Sequence, residues 1–267
     1  MSQVLVVTSG KGGVGKTTST AALGAALALG GNRVAVVDFD VGLRNLDLVM
    51  GAERRVVYDL INVVQGEAKL QQALIRDKRL DTLFLLPASQ TRDKDALTAE
   101  GVARVMEELR ESFDWIVCDS PAGIERGAML AMRHADVAVV VTNPEVSSVR
   151  DSDRIIGMLD AKTEKAERGD YMEKHLLLTR YDAARAERGQ MLKVDDVLEI
   201  LSIPLLGIIP ESQDVLNASN VGSPVTLAAA ESAPARAYLD AARRLEGDVV
   251  PMIIPADKRV GLMGELF

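Results

Sequence analysis

The sequence has few aromatic residues, a single cysteine and no long hydrophobic segment. Phe, Trp and Tyr make up 3% of the 267 residues, which disfavours the aromatic platforms that stack the bases of single-stranded nucleic acid. A lone cysteine, Cys118, excludes an intramolecular disulfide and any metal site built from several thiolates. The apolar runs are shorter than the roughly 18 residues of a membrane-spanning helix, and no secretory signal precedes the first predicted strand. We therefore expect a cytoplasmic protein.

Positive charge is also scarce. The chain has 31 Lys and Arg against 39 Asp and Glu, a net charge of −8, which disfavours a broad DNA-coating surface and predicts no specific nucleic-acid partner. The hydrophobic fraction of 48% is typical of a globular protein, and the length fits one α/β domain.

Short apolar runs alternate with helical patterns along the whole chain. Predicted strands are 3–8, 33–38, 82–87, 115–119, 137–142, 175–180 and 205–209, and predicted helices are 17–29, 98–110, 147–159, 194–201 and 234–245. Consecutive apolar residues in several strands indicate burial on both faces, so we predict an α/β fold with a doubly wound, mostly parallel sheet flanked by helices. Residues 1–250 are predicted to form this domain, and 251–267 a linker and C-terminal segment. The polar stretch 164–170 is predicted to be a solvated loop.

The most specific motif lies between the first strand and the first helix. Residues 10–17 read Gly-Lys-Gly-Gly-Val-Gly-Lys-Thr and match the phosphate-binding pattern GxxxxGK(S/T) in the context that the pattern requires. Backbone N–H groups of such a loop surround phosphates, Lys16 reaches the β- and γ-phosphates, and the Thr17 hydroxyl ligates Mg²⁺. The predicted nucleotide contacts in this loop are Gly10, Lys11, Gly12, Gly13, Val14, Gly15, Lys16, Thr17 and Thr18. The motif makes the fold one of the P-loop NTPase type.

Lys11 is a second lysine inside this loop. One interpretation is a solvated surface lysine. The other is a cation that neutralises phosphate charge across a subunit interface, as an arginine finger does.

The loop resembles the deviant Walker A motif of the ParA/MinD ATPases. The resemblance continues to about Leu245 and includes the stretches 9–18, 37–47, 88–95, 118–124 and 142–153. It implies ATP as substrate, Mg²⁺ as cofactor, hydrolysis to ADP and a homodimer that forms with ATP, in which Lys11 contacts the phosphates of the other subunit.

Acidic residues end two predicted strands. Asp38 and Asp40 follow strand 33–38, and Asp119 ends strand 115–119, on the sheet edge where such folds bind ligands. Asp38 and Asp119 are predicted to hold Mg²⁺ together with Thr17. By resemblance, Asp40 orients the attacking water with help from Asn45, although an Asp that caps a turn is an alternative for Asp40.

Loops after other strands complete the predicted nucleotide site. Gly123, in the loop after Asp119, is predicted to offer its N–H to the γ-phosphate. Candidates for contacts with the base follow the later strands and are Asn143, Arg180, Pro210 and Asp214. We interpret Cys118 as a buried packing residue rather than a reactive thiol.

The last residues, 257–267, have an amphipathic pattern. At about 100° per residue, the apolar side chains of Val260, Leu262, Met263, Leu266 and Phe267 share one face. The pattern predicts attachment to an anionic membrane surface, and the resemblance implies the cytoplasmic face of the inner membrane. Since Lys258 and Arg259 are offset by nearby acids, one segment would bind weakly and two on a dimer would bind better. An alternative is that the segment packs on the body or is disordered.

For the division-site branch of the family, the resemblance also implies partners. These are MinC, which such a protein recruits, and MinE, which stimulates hydrolysis. Partner contacts are predicted for Ser147, Arg150, Asp151 and Asp153, which could equally form an ordinary solvated helix start. Two other functions share the loop: a ParA-type ATPase that binds nonspecific DNA, and a metabolic phosphoryl-transfer enzyme or ligase.

Overall fold

The computed structural model describes residues 2–90, 92 and 94–255. Its centre is an eight-stranded sheet in the order β3-β4-β2-β5-β1-β6-β7-β8, in which the β3–β4 pair is antiparallel and the other pairs are parallel. The strands are β1 Gln3–Thr8, β2 Val34–Asp38, β3 Ile75–Arg76, β4 Leu83–Leu86, β5 Trp115–Asp119, β6 Val137–Thr142, β7 Glu173–Tyr181 and β8 Leu205–Pro210. The predicted mostly parallel sheet is confirmed.

Helices occupy most of the connections between strands. They are α1 Lys16–Leu29, α2 Leu46–Val49, α3 Leu60–Val64, α4 Leu70–Ala73, α5 Ala99–Ser112, α6 Arg126–Arg133, α7 Val146–Lys162, α8 Glu164–Arg168, α9 Ala183–Glu187, α10 Val194–Leu201, α11 Gln213–Asn220, α12 Val225–Ala228 and α13 Ala233–Leu245. Two 3₁₀ turns, Glu53–Arg55 and Lys94–Ala96, accompany them. Across the described residues, no helix is both long and apolar enough to cross a bilayer.

Two hydrophobic clusters cover the two faces of the sheet. Alternate residues of β1 enter different clusters: Val4 and Val6 pack with α5, α6, α7 and α10, whereas Leu5 and Val7 pack with α1 and α13. This division explains why the strand sequences are apolar at consecutive positions, since each side chain meets a layer of helices. The doubly wound arrangement is confirmed.

One predicted loop is helical in the structure. Residues 164–170 were expected to be solvated coil, but α8 occupies Glu164–Arg168. The Thr163 side chain accepts from Ala166 N at its start, and Gly169, with φ of 79°, ends it. A capping threonine and a left-handed glycine are sequence signals for such a short helix. The polar composition of the stretch led instead to the prediction of a loop.

The described C-terminal residues lie against the body of the protein. Residues 250–255, which we call the C-terminal strap, have no regular secondary structure. The Arg244 guanidinium donates to the carbonyls of Leu206, Val250 and Pro251 at 2.8, 3.0 and 2.7 Å and so holds the start of the strap to β8. The boundary between a domain 1–250 and a segment 251–267 stays a prediction.

Candidate nucleotide site

The phosphate-loop motif forms the connection between β1 and α1. Gly15 directly precedes α1 with φ of 92°, a left-handed conformation that favours glycine. Gly10 is required for a different reason, because a Cβ there would lie 2.3 Å from the backbone carbonyl of Asp151 in α7. The loop is thus curled by Gly15 and pressed against the first turns of α7 at Gly10.

A threonine hydroxyl on a strand distant in sequence contacts the backbone of the phosphate loop. The Thr179 hydroxyl, on β7, lies 2.6 Å from the Val14 carbonyl and 3.1 Å from that of Thr142, so it donates to either acceptor in this buried position. Sequence reasoning missed Thr179. Its one signal is a polar residue near the carboxyl end of an otherwise apolar strand.

Lys16 and Asp119 form a buried ion pair at the start of α1. Lys16 Nζ lies 2.9 Å from Asp119 Oδ1, which also accepts from the Thr20 hydroxyl at 2.9 Å. Asp119 Oδ2 is buried with no hydrogen-bond partner, and Thr17 Oγ1 lies 3.3 Å from Lys16 Nζ. A buried carboxylate oxygen without a partner near a threonine hydroxyl fits the predicted Mg²⁺ position, because oxygen is the ligand that Mg²⁺ prefers.

Asp38 lies directly opposite Asp119 on the adjacent strand. The two residues are register partners in the β2–β5 pair, and both side chains are buried. Burial, together with the neighbouring Asp119 charge, raises the pKa of the Asp38 carboxyl well above its ordinary value. A cation between the two acids would offset this cost. In the described residues no group of three or more His, Cys, Asp or Glu could hold a metal alone, so Mg²⁺ would also need phosphate, hydroxyl or water ligands.

The loop after Asp38 is ordered by that same carboxylate. Asp38 Oδ1 accepts from Asp40 N at 2.8 Å, and its Oδ2 accepts from Leu46 N at 3.4 Å. Asp40 is half-buried, and Asn45 is exposed and precedes α2 without capping it through its side chain. Asp40 and Asn45, two of the five residues predicted to be catalytic with Lys11, Lys16 and Asp38, both lie on this loop, and their roles stay predictions.

Lys11 contacts the start of α7 in the same chain. Its Nζ lies 3.0 Å from the Ser147 hydroxyl and 3.4 Å from the Glu145 carboxylate, and the side chain is 41% exposed. These partners hold the lysine at the surface of the loop. Sequence reasoning did not identify Glu145.

The start of α7 carries the residues predicted to bind partners. Ser147, Arg150 and Asp153 are exposed, whereas Asp151 is half-buried where its backbone faces Gly10. This end of α7 therefore exposes three of the four residues to solvent and packs against the phosphate loop through the fourth.

The Gly123 N–H already makes a hydrogen bond within the protein. It donates to the Ser9 carbonyl at 2.9 Å, so the predicted contact with a γ-phosphate would require this hydrogen bond to break. Cys118 is the fourth residue of β5, the strand that leads to this loop, and it is fully buried. Burial raises the pKa of its thiol to about 12, which agrees with a packing role.

Pro210 and Asp214, two of the four predicted base contacts, line one cleft. This cleft, of about 650 Å³, lies at the carboxyl ends of β7 and β8 and is also lined by Tyr181. Arg180 is exposed with a left-handed φ of 53°, and Asn143 is buried at the end of β6; neither lines the cleft. The tail residues Val260, Leu262, Met263, Leu266 and Phe267 lie outside the described residues.

A doubly wound sheet with a glycine-rich loop, a buried lysine and two strand-end acids defines a P-loop nucleotide-binding protein. The family model of the CobQ/CobB/MinD/ParA nucleotide binding domain matches residues 5–225. The chain belongs to this family and, within it, to the septum site-determining MinD proteins.

Curated and solved relatives support this placement. The septum site-determining protein MinD of Escherichia coli (strain K12) is 58% identical over 100% of this chain and 99% of its own length. A MinC:MinD cell division protein complex from Aquifex aeolicus matches with a TM-score of 0.86 and 41% identity, covering 96% of this chain and 100% of that chain. MinD from Pyrococcus horikoshii, complexed with Mg-ADP, matches with a TM-score of 0.80 and 29% identity over 100% of both chains.

Proposed function

We propose that this protein is an ATPase that cycles on and off the membrane and helps to place the division site. The observation that carries the proposal is the buried group formed by Lys16, Asp119 and Asp38 beside a loop that also presents Lys11. The E. coli relative named for septum site determination is similar along the whole chain, which supports the biological assignment.

The residues of this site suit hydrolysis of a nucleoside triphosphate. Backbone N–H groups of residues 10–18 and the start of α1 bind phosphate oxygens, and Lys16 exchanges part of its contact with Asp119 for the β- and γ-phosphates. Thr17, Asp38 and Asp119 would hold Mg²⁺, which would supply positive charge to offset the phosphates and the two strand-end acids. The Mg-ADP complex of the P. horikoshii relative supports this choice of metal and nucleotide.

We assign Asp40 to the attacking water, with help from Asn45 of the same loop. The Asp40 backbone N–H donates to the Asp38 carboxylate. The position of Asp40 therefore depends on one of the acids that we assign to Mg²⁺. A carboxylate acts there by orienting water and accepting its proton. Gly123 contacts the γ-phosphate after it leaves Ser9, and Asn143, Arg180, Pro210 and Asp214 border the adenine.

We assign Lys11 to the phosphates of a second subunit in an ATP-bound homodimer. The lysine is partly exposed and its contacts with Ser147 and Glu145 are surface contacts, so the side chain can exchange them for phosphates. The dimer carries two copies of residues 257–267 to the anionic inner face of the membrane, where two weak anchors bind together. It recruits MinC and is stimulated by MinE at the start of α7; the MinC:MinD complex of A. aeolicus supports the first partner.

Vesicle co-sedimentation tests the proposal. Vesicles that contain anionic lipid should retain the protein with Mg·ATP, release it with Mg·ADP, and fail to retain a chain that lacks residues 257–267. Lys16→Ala should lose the ATP-dependent retention as well. Vesicle retention that is the same with and without nucleotide would contradict the proposal. Binding of DNA in a shift assay at moderate salt, without binding of vesicles, would favour the DNA-segregation function instead.

A further inference from the structure

Thr20 is a buried polar residue next to the candidate nucleotide site, and the proposed mechanism gives it no role. It is the fifth residue of α1 and its side chain is fully buried. The Thr20 hydroxyl lies 2.9 Å from Asp119 Oδ1 and 3.0 Å from the Lys16 carbonyl. A hydroxyl has one proton, so Thr20 donates to one of these two acceptors at a time.

The Asp119 carboxylate is the stronger of the two acceptors. A threonine inside a helix commonly donates to the carbonyl four residues earlier, which for Thr20 is that of Lys16. A hydrogen bond to an ionised group is roughly twice as strong as one between neutral groups. We therefore assign the hydroxyl proton to Asp119, which connects the first turns of α1 to the end of β5.

The two carboxylate oxygens of Asp119 have different surroundings. Oδ1 accepts from Lys16 Nζ and from the Thr20 hydroxyl, both at 2.9 Å. Oδ2 is buried and has no hydrogen-bond partner among the described residues. Side chains of α1 therefore hold one oxygen of this carboxylate and leave the other available to a cation.

The two donors to Oδ1 differ in what nucleotide binding asks of them. In the proposed function, Lys16 exchanges part of its contact with Asp119 for phosphate oxygens. Thr20 follows the phosphate loop, residues 10–18, and its side chain is enclosed by the protein. It can therefore keep its contact with Oδ1 while Lys16 contacts phosphate.

We propose that Thr20 is a positioning residue for the Mg²⁺ site, because its hydroxyl holds Asp119 Oδ1 and so keeps Oδ2 available to the metal. This inference rests on the proposed function, from which it takes the assignment of Asp119 to Mg²⁺. Thr20 acts through Asp119 and contacts neither metal nor nucleotide. Its loss should weaken the contribution of Mg²⁺ to nucleotide binding more than nucleotide binding itself.

Calorimetric titration of the full chain with ADP, once with Mg²⁺ and once with EDTA, tests the inference. The ratio of the two affinities measures the effect of Mg²⁺, and a general disturbance of the phosphate loop changes both affinities and cancels in the ratio. Thr20→Val keeps the shape of the side chain and removes the hydroxyl. We expect its ratio to fall on the order of tenfold, as is typical when a residue that orients a metal ligand is lost. Its affinity for ADP in EDTA should stay close to that of the parent.

Two further variants identify the hydroxyl as the cause. Thr20→Ser keeps the hydroxyl and should retain the parental ratio. Ser152→Ala is the matched control, because the Ser152 hydroxyl is also buried within a helix and donates to the Ser148 carbonyl, four residues earlier, at 2.9 Å. It removes a buried helical hydroxyl away from Asp119, so its ratio should equal that of the parent.

Three results would overturn the inference. They are a parental ratio for Thr20→Val, a ratio for Thr20→Ser as low as that for Thr20→Val, and an equal fall for Ser152→Ala. If Thr20→Val is poorly folded, Thr20→Ala takes its place. Equal ratios for Thr20→Ala and Thr20→Ser, which differ by one oxygen atom, would then overturn the inference.

The same titrations separate this inference from the proposed function. If Mg²⁺ did not raise the affinity of the parent for ADP, the assignment of Asp119 to Mg²⁺ would be wrong, and the inference would fail with it. If Mg²⁺ raised the affinity of the parent and of Thr20→Val by the same factor, the proposed function would stand and only the role of Thr20 would be refuted.

Discussion

At the scale of single residues, the site is dominated by two acids placed face to face. Asp38 and Asp119 end adjacent parallel strands in register, and Lys16 contacts Asp119 rather than Asp38. The Asp38 carboxyl therefore depends on two backbone N–H groups and a nearby lysine for its stabilisation, and burial dominates its pKa. A bound cation would therefore stabilise these two buried acids.

The raised pKa of Asp38 predicts a pH-dependent cost to stability. A carboxyl with a higher pKa in the folded protein than in the unfolded chain favours folding while protonated, and this contribution is lost as pH rises from the ordinary value of 3.8 through the folded-state value. Asp38→Asn removes the titration. Without nucleotide, the melting temperature of the variant relative to the parent should rise with pH across this window and then level off.

Asp81→Asn is the control for this experiment. The Asp81 side chain is 88% exposed and makes a surface ion pair with Arg76. The difference in melting temperature between this variant and the parent, measured over the same pH range, is the baseline for the Asp38→Asn difference. An Asp38→Asn difference that follows this baseline would show that Asp38 is not the group that carries the cost.

The Thr179 hydroxyl provides a second residue-scale prediction. Thr179→Val removes the buried donor shared by the Val14 and Thr142 carbonyls and should cost about 1–3 kcal/mol of stability. Because Val14 belongs to the phosphate loop, nucleotide affinity should fall too. Chemical denaturation and calorimetric titration with Mg·ADP measure the two effects.

Thr226→Val matches this change elsewhere. The Thr226 hydroxyl is equally buried and lies 3.4 Å from the Ala22 carbonyl, near the middle of α1. We expect it to lower stability without lowering ADP affinity. If both variants lost affinity alike, Thr179 would have no special role in holding the loop.

At the scale of elements, the phosphate loop packs closely against α7 at Gly10. Gly10 leaves no space for a Cβ against the Asp151 backbone, and backbone atoms cannot move aside without moving the helix. Gly10→Ala should therefore separate α7 from the loop, at a cost of about 1–3 kcal/mol or more. Thermal denaturation should show a clear fall in melting temperature.

Gly12→Ala is the matched control within the same loop. A Cβ at Gly12 would meet no atom within 4 Å, and its φ is not in the left-handed region. Its melting temperature without nucleotide should equal that of the parent. A similar loss for both variants would mean that the loop tolerates no side chain at all and that the contact with α7 is irrelevant.

Regular elements were predictable where a strong local pattern coincided with the tertiary fold. Strands β1, β5 and β6 and helix α10 have their predicted bounds, because continuous apolar runs end at charged or turn residues there. Helix α6 was not predicted, and neither was β3, whose two residues pair antiparallel with β4. A two-residue strand has no periodicity, so only the partner strand defines it.

The contacts of the candidate site also differ in whether the local sequence predicts them. Contacts within the motif, such as Lys16 beside Thr17, follow from spacing alone, whereas Thr179 and Glu145 enter through strands and helices more than a hundred residues away. The occupied N–H of Gly123 was not foreseeable either, since a backbone partner such as Ser9 carries no sequence signal. Long-range partners of a loop are decided by sheet order, which local patterns do not encode.

At the scale of the whole molecule, the proposed homodimer depends on the distribution of charge. The chain is acidic overall, yet the phosphate loop presents Lys11 at the surface, held by Ser147 and Glu145 of the same chain. Two acidic subunits repel each other unless the facing surfaces carry compensating charges. Triphosphates bridged by lysines from both subunits would provide that compensation.

Lys11→Ala should consequently separate nucleotide binding from assembly. With Mg·ATP, the parent should be a dimer in light scattering and the variant a monomer, while ADP affinity changes little because Lys16 and the loop backbone remain. Its fold should be intact as well, since a partly exposed ion pair contributes about 0–1 kcal/mol.

Arg54→Ala is the control, because Arg54 is 94% exposed and pairs only with its neighbour Glu53 among the described residues. It removes one positive charge, as Lys11→Ala does, and should still dimerise with Mg·ATP. If both variants dimerised like the parent, Lys11 would act within its own subunit. If neither did, net charge rather than a lysine placed at the interface would control assembly, because the two changes are equal in charge and differ only in position.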